Sequence, residues 1–386
     1  MKTKVYLDYA ASTPLDPRVE KAMRPYYSSV FGNPSAIHMF GQEASGAVFH
    51  ARKAIGDMLN AYYREVIFTG SATEANNLAI RGCVEAFIEK SLQKPKILIS
   101  VIEHESIRAV CTDLKEAGIE VVDIPVDNLG IIDVEFIKRQ LDERVILVSI
   151  QYANSEIGVV QPIAEIGRII AAFKGGEAHP FFHVDAVQAF QYFACDVLEL
   201  GVDMLTLSAH KIYGPKGIGC LYVKKPEFLM PLIVGGGQEH GLRSGTENVP
   251  AIVGFAKALE ITEGMRAKES GRVCELRDLL WDGIKAIVPD AELNGSLDCR
   301  VPNNLNVYFP GHSAQDMCIE LDMQGVAVSP GTACSSRASQ PSYVIEALGF
   351  SGDRPSSSLR FSLGRQTTRL EIRTVLKVFK TRFGTK

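Results

Sequence analysis

Residues able to do chemistry recur directly after short apolar runs. Residues 66–69 lead into Gly70-Ser71-Ala72-Thr73-Glu74, 97–101 into Glu103-His104-Glu105, and 145–150 into Asn154-Ser155-Glu156. Residues 181–184 lead into Asp185-Ala186-Val187-Gln188, and 204–207 into Ser208-Ala209-His210-Lys211. Each group has a plain explanation by itself. Ser71 and Glu74 fit an S-x-x-E capping box. A solitary His104 is more often structural than catalytic, Asp185 suits a cap, and Lys211 beside a Tyr-Gly-Pro turn suits a solvated loop. Their joint occurrence shifts the balance. Ligands of open α/β sheets bind beyond the carboxyl ends of the strands, so the groups are expected to share one pocket.

That set matches the needs of pyridoxal 5′-phosphate (PLP). An aldehyde cofactor requires a lysine poised as a neutral amine, which burial or nearby cations favour. A carboxylate must pair with the pyridine nitrogen so that the ring acts as an electron sink. The phosphate wants a helix N-terminus with hydroxyl and imidazole donors. An imidazole face can cover the ring.

Three segments carry a family resemblance: Asp185-Ala186-Val187-Gln188, Ser208-Ala209-His210-Lys211-Ile212-Tyr213-Gly214-Pro215-Lys216-Gly217 and Arg243-Ser244-Gly245-Thr246. With Tyr6-Leu7-Asp8-Tyr9-Ala10-Ala11, Gly32-Asn33-Pro34-Ser35 and Leu359-Arg360-Phe361-Ser362-Leu363-Gly364-Arg365, the chain resembles, nearly end to end, the NifS/IscS-like cysteine desulfurases of the class V aminotransferase family. The resemblance implies the PLP-dependent transferase fold, type I aminotransferase-like: an α/β fold whose large domain holds a mostly parallel seven-stranded sheet between helices, beside a smaller α+β domain. It implies Lys211 as the Schiff-base lysine and carrier of the Cα proton, Asp185 on the pyridine nitrogen, and Gln188 on the ring hydroxyl. His104 would stack on the ring and serve in catalysis. Ala72, Thr73, Ser208 and His210 would hold the phosphate, with Thr246 reaching the phosphate of a neighbouring subunit in a homodimer with shared sites. Arg360 would clamp the substrate carboxylate, its planar fork suiting that task, with Asn33 and Asn154 also expected at the substrate. One departure stands out. The family usually carries two asparagines before Glu-Ile-Gly, whereas here Ser155 holds the contacting position, with a shorter side chain and a hydroxyl in place of the amide's paired donor and acceptor.

PLP alone leaves the reaction open. Cys334 lies in Ser329-Pro330-Gly331-Thr332-Ala333-Cys334-Ser335-Ser336, with only Ala333 apolar beside it, and an accessible thiol becomes a nucleophile as its thiolate. The segment resembles the persulfide-forming loop of the desulfurases. The resemblance therefore implies conversion of L-cysteine to L-alanine, with sulfur passing to Cys334 as a persulfide and then to an acceptor protein, such as an iron–sulfur scaffold or a tRNA-thiolation enzyme. The acceptor stays open, because the chain stops at Lys386 without the longer tail of many iron–sulfur assembly members. No metal site is expected, apart from transient ligation of an iron–sulfur cluster by Cys334. Rival readings are a selenocysteine lyase or aminotransferase of the same family, a non-catalytic binding protein, and, more weakly, a nucleotide binder built on Gly214–Gly219, which lacks the fingerprint spacing.

The elements positioning these residues are legible as a rhythm. Runs at 66–69, 97–101, 145–150, 181–184, 204–207 and 219–223 are rich in Val, Ile, Leu and Phe, as doubly buried strands should be. Ile163, Ile166, Ile170 and Phe173 recur at helical spacing after Pro162. The βαβα order predicts a mostly parallel sheet between helices. A glycine-rich stretch at 235–245 breaks it, a long helix is expected over 249–287, and strands and helices resume from Asn304. The division expected is a large domain over 15–260, with 1–14 and 261–386 forming the small domain that carries Cys334. With 386 residues, 46% hydrophobic and 22% charged, the composition is that of a globular chain. A net charge of −4 gives no support to nucleic-acid or membrane binding. Eight scattered cysteines without C-x-x-C or zinc spacing fit a reducing, cytoplasmic setting. Apart from Cys334, they are expected to be small core residues.

Overall fold

The computed structural model describes residues 4–91, 93–331 and 340–383. The chain opens on β1 (Val5–Tyr6). Seven strands then build the principal sheet: β2 (Val66–Thr69), β3 (Lys96–Ser100), β4 (Glu120–Ile124), β5 (Val145–Gln151), β6 (Phe181–Asp185), β7 (Met204–Ser208) and β8 (Gly219–Val223), in the order β2-β8-β7-β6-β5-β3-β4. β3 to β7 run parallel, and β8 lies antiparallel between β7 and β2.

Alternation along these strands feeds two cores. Phe68, Leu98, Val148, Phe182 and Leu205 pack on one face, and Ile67, Ile99, Leu147, Phe181 and Met204 on the other. Both faces are covered, which is why the strands are continuously apolar. β4 was not among the expected strands. Its sequence, Glu120-Val121-Val122-Asp123-Ile124, is largely exposed, and it closes one edge of the sheet, where charged residues discourage pairing with another chain.

A third core surrounds β9 (Glu292–Leu293), β10 (Asn304–Tyr308), β11 (Val326–Ala327) and β12 (Ser358–Ser362). β12-β10-β9 form an antiparallel sheet, and β1 pairs in parallel with β11. The expected long helix is a single 39-residue element, Val249–Ile287. Its first half packs through Ile252, Phe255 and Leu259 on the principal sheet, and its second through Val273, Leu280 and Ile284 on the third core. The described cysteines are all free: four are buried, Cys274 and Cys318 half-buried, and Cys299 exposed. Cys299 corrects the expectation of a core residue. It belongs to the turn closed by its own N–H donating to Ser296 Oγ at 3.1 Å, and its carbonyl accepts from Val160 N at 2.9 Å.

Candidate active site

The five strand ends open into one cavity of about 940 Å³. Ala72, Thr73, His104, Asn154, Ser155, Asp185, Gln188, His210, Lys211 and Arg360 all line it. So do Ala10 and Ala11, which reading from side chains did not find.

Lys211 ends a 3-10 turn, Ala209–Lys211, directly after β7. Its ammonium donates to the carbonyls of Ala10 at 2.6 Å and Ala11 at 2.8 Å. Gln188 Nε2 also donates to the Ala10 carbonyl, at 3.0 Å. Thr13 fastens the same strap by donating through Oγ1 to the His210 carbonyl at 2.8 Å. Asp185 is the last residue of β6 and is 7% exposed. One carboxylate oxygen accepts from Val187 N at 3.0 Å and the other from Asn76 Nδ2 at 2.9 Å. His104 caps helix Glu105–Glu116, its Nδ1 accepting from Ser106 N at 3.1 Å.

The phosphate side begins at helix Ala72–Lys90. Ser71 Oγ accepts from Glu74 N at 3.1 Å, as a capping box requires. The reciprocal bond differs: Glu74 accepts from Gly70 N at 2.8 Å and from Arg243 Nε at 2.8 Å. The amides of Ala72 and Thr73 have no acceptor within the helix by position. A side chain on Gly219 would strike Ala72 N at 2.8 Å, so glycine there lets β8 run against this helix start. Ser208 Oγ meets His210 Nδ1 at 2.9 Å. Burial, then the charges of Lys211 and Lys216, push the His210 imidazole down to about 4, so it stays neutral near pH 7.

Arg360, on β12, is 2% exposed. It donates to Asp8 Oδ1 at 2.8 Å and to the Ser155 carbonyl at 3.0 Å, while its buried Nε has no partner. Asn154 is held differently from the substrate contact expected of it. Its Oδ1 accepts from Glu156 N and Ile157 N, both at 2.8 Å, and its Nδ2 donates to the Ile102 carbonyl at 3.1 Å. Its amide is thus taken up by the turn. Asn33 and Thr246 lie outside this cavity and share a separate cleft of about 280 Å³ with Tyr26 and Phe31. Cys334 lies outside the described residues, but Gly331 and Gln340 on either side of that segment both border the cavity.

Glu156 sits beneath those two ends. Ser342 Oγ donates to its carboxyl, and a side chain on Gly331 would collide with Glu156 Oε1 at 2.6 Å. Burial pushes Glu156 up to about 7, against the opposing pull of Ser342 and Arg360.

A lysine at a strand end, a buried carboxylate, a helix N-terminus with hydroxyl and imidazole donors, and a carboxylate-binding arginine with an unpartnered Nε form the donor set that PLP and an amino acid require. The residues fit that cofactor. The chain belongs to the class V aminotransferase family of PLP-dependent enzymes, whose sequence profile, "Aminotransferase class-V", matches residues 5–375. Within the family it is similar to the NifS/IscS group. Cysteine desulfurase IscS 1 of Archaeoglobus fulgidus is 44% identical, over 97% of this chain and 95% of that protein. A solved NifS-like protein superposes with a TM-score of 0.91 at 34% identity, covering 98% of this chain and 99% of the other. A structure of SspA in complex with cysteine superposes with a TM-score of 0.79 at 35% identity, covering 94% and 99%.

Proposed function

We infer that this enzyme is a cysteine desulfurase that converts L-cysteine to L-alanine and moves the sulfur to Cys334 as a persulfide. The observation that carries the reading is the joint presence, around one cavity, of Lys211, Asp185, His104 and Arg360, with Gly331 and Gln340 at its rim. The likeness to IscS proteins and to a structure holding cysteine supports it.

PLP, when bound, supplies an aldehyde for the substrate amine and a ring that accepts electrons from Cα. Asp185 would pair with the ring nitrogen and keep it protonated, and Ala72, Thr73, Ser208 and His210 would hold the phosphate. Arg360 fixes the substrate carboxylate, so the amine and thiol have one orientation. Lys211 takes the Cα proton and returns it. Cys334, as thiolate, attacks the substrate sulfur: the sulfur–sulfur bond forms as the carbon–sulfur bond breaks, the electron pair of that bond stays with Cβ, which takes up the proton given up by the thiols, and alanine leaves.

Mass spectrometry after incubation with cysteine is expected to show one added sulfur on Cys334 and none on Cys299, the exposed thiol among the described residues. Cys334→Ala is expected to abolish persulfide formation and cut alanine release to background. Alanine and sulfide production that survives the substitution would sink the reading.

The site is completed by a second copy of the chain. Phe31, Ile37 and Met39 are 68%, 91% and 72% exposed, beside the cleft that holds Asn33 and Thr246. An apolar surface of this kind calls for cover, and a homodimer would bring Thr246 to the partner's phosphate. Sedimentation is expected to give twice 42.2 kDa, and a monomer at all concentrations would refute it.

The separate cores on either half of helix Val249–Ile287 support a large domain over 15–260 and a small one from 1–14 and 261–386. We propose that the sulfur goes on to iron–sulfur assembly or tRNA thiolation in the cytoplasm; the likeness to proteins named cysteine desulfurase IscS supports sulfur transfer as the activity. No helix among the described residues is long and apolar enough to cross a membrane.

A further inference from the structure

Two polar residues with no role so far, Ser106 at the cavity wall and Asn76 behind it, join Asp185 to His104. Asn76 lies on helix Ala72–Lys90 and is fully buried. Its Nδ2 donates one hydrogen to Asp185 Oδ2 at 2.9 Å and the other to Ser106 Oγ at 2.8 Å. Ser106 Oγ lies 2.9 Å from His104 Nδ1.

The hydrogens in this chain can be placed by elimination. Nδ1 accepts from the Ser106 backbone N–H at 3.1 Å, so it carries no hydrogen of its own. The Ser106 hydroxyl, already accepting from Asn76, therefore meets Nδ1 with its own hydrogen. Neutral His104 then holds its ring hydrogen on Nε2. The direction is imposed from the other end. An ionised Asp185 only accepts, so it faces the amide nitrogen of Asn76, and the amide oxygen is left buried without a partner. A buried acceptor without a donor is unfavourable, and turning the amide over would set oxygen against carboxylate.

We propose that Asn76 and Ser106 are positioning residues that reinforce the Nε2–H tautomer of His104, which the Ser106 backbone N–H already favours, by bringing a second donor to Nδ1 and tying it to the Asp185 carboxylate. His104 thereby enters the reaction as a donor. The inference rests on the proposed role of His104 in the desulfurase, but the arrangement itself can be read without cofactor or substrate.

The test is two-bond proton–nitrogen NMR of the histidine rings in the full chain, with and without PLP, with His104 assigned through His104→Gln. The wild type is expected to show a bare Nδ1 and a protonated Nε2. With the backbone N–H of residue 106 still donating to Nδ1, Ser106→Ala is expected to move the Nδ1 signal part of the way toward that of an imidazole nitrogen without a donor, and Asn76→Ala to move it the same way by less, with the other histidine signals in place, and Ser106→Thr is expected to keep it. In turnover, Ser106→Ala is expected to lower kcat about 2- to 10-fold with KM nearly unchanged, the range for one lost hydrogen bond, and Ser106→Thr to restore it. A hydrogen on Nδ1 in the wild type, a signal unmoved in either alanine variant, or an unchanged kcat in Ser106→Ala overturns the relay. Failure here leaves the persulfide test untouched, and failure there leaves the ring signals to be read by themselves.

Discussion

Replacement of Lys211 by alanine is expected to lower alanine release from cysteine about 10⁴-fold or more, with the fold retained. Two tasks fall on this one amine: carrying the cofactor and moving the Cα proton. Losses of groups that act together do not divide into separate shares, so a single substitution removes both. The structure shows why the protein should survive it. Lys211 closes a short turn whose backbone is held by neighbours: Ile212 N donates to the Ala209 carbonyl at 3.0 Å, and Gly214 N to the same carbonyl at 2.9 Å. The lost bonds include those to the Ala10 and Ala11 carbonyls, which water can replace. Circular dichroism and the thermal midpoint check the fold, and alanine release checks the chemistry. A Lys211→Ala protein within tenfold of wild-type turnover would exclude Lys211 from both tasks.

The largest stability effect is expected at Arg52. Its guanidinium meets Glu239 through two bonds, of 2.6 and 2.8 Å, with the side chains 8% and 2% exposed. The same arginine donates to the Val66 carbonyl at 2.6 Å and lies over the Phe68 ring at 4.8 Å, while Glu239 accepts from Phe68 N at 2.9 Å. The pair thus pins β2 to the glycine-rich stretch, and Glu239 is held there at a φ of 48°, a region unfavourable to residues other than glycine. Arg52→Ala leaves a buried carboxylate with no cation, for which a loss of about 3–5 kcal/mol is typical. Urea unfolding checks the value, and a loss below about 1 kcal/mol would show that water reaches the pair. Because β2 ends at the turn leading to Ser71, and Arg243 from the same stretch braces Glu74, PLP affinity is expected to fall with stability.

The strand-end side chains could be found from sequence because each follows a run apolar enough to be a buried strand, and the rule placing ligands beyond such ends needs no coordinates. What stayed hidden has other physics. The acceptors for Lys211 are backbone carbonyls of Ala10 and Ala11, and a carbonyl has no residue identity to read. Asp8 as the partner of Arg360, and Asn76 and Ser106 behind His104, depend on neighbours distant in sequence. Asn154 lines the cavity, but that its Oδ1 is also engaged by the turn at Glu156 and Ile157 was not legible, because the same short amide suits a ligand and a turn equally well. β4 escaped notice because, with a neighbour on one side only, it is just partly covered and so lacks the unbroken apolar run of its neighbours.

The N-terminal strap has a consequence in the order of synthesis. Asp8 bonds to Arg360, 352 positions further along the chain, and β1 pairs with β11. At about 5–20 residues per second, Asp8 would leave the ribosome roughly 20–70 seconds before its partner. No nascent chain ending short of Arg360 contains the whole site. The principal sheet can assemble during translation, but the pocket that would grip an amino acid closes only once Arg360 has been made.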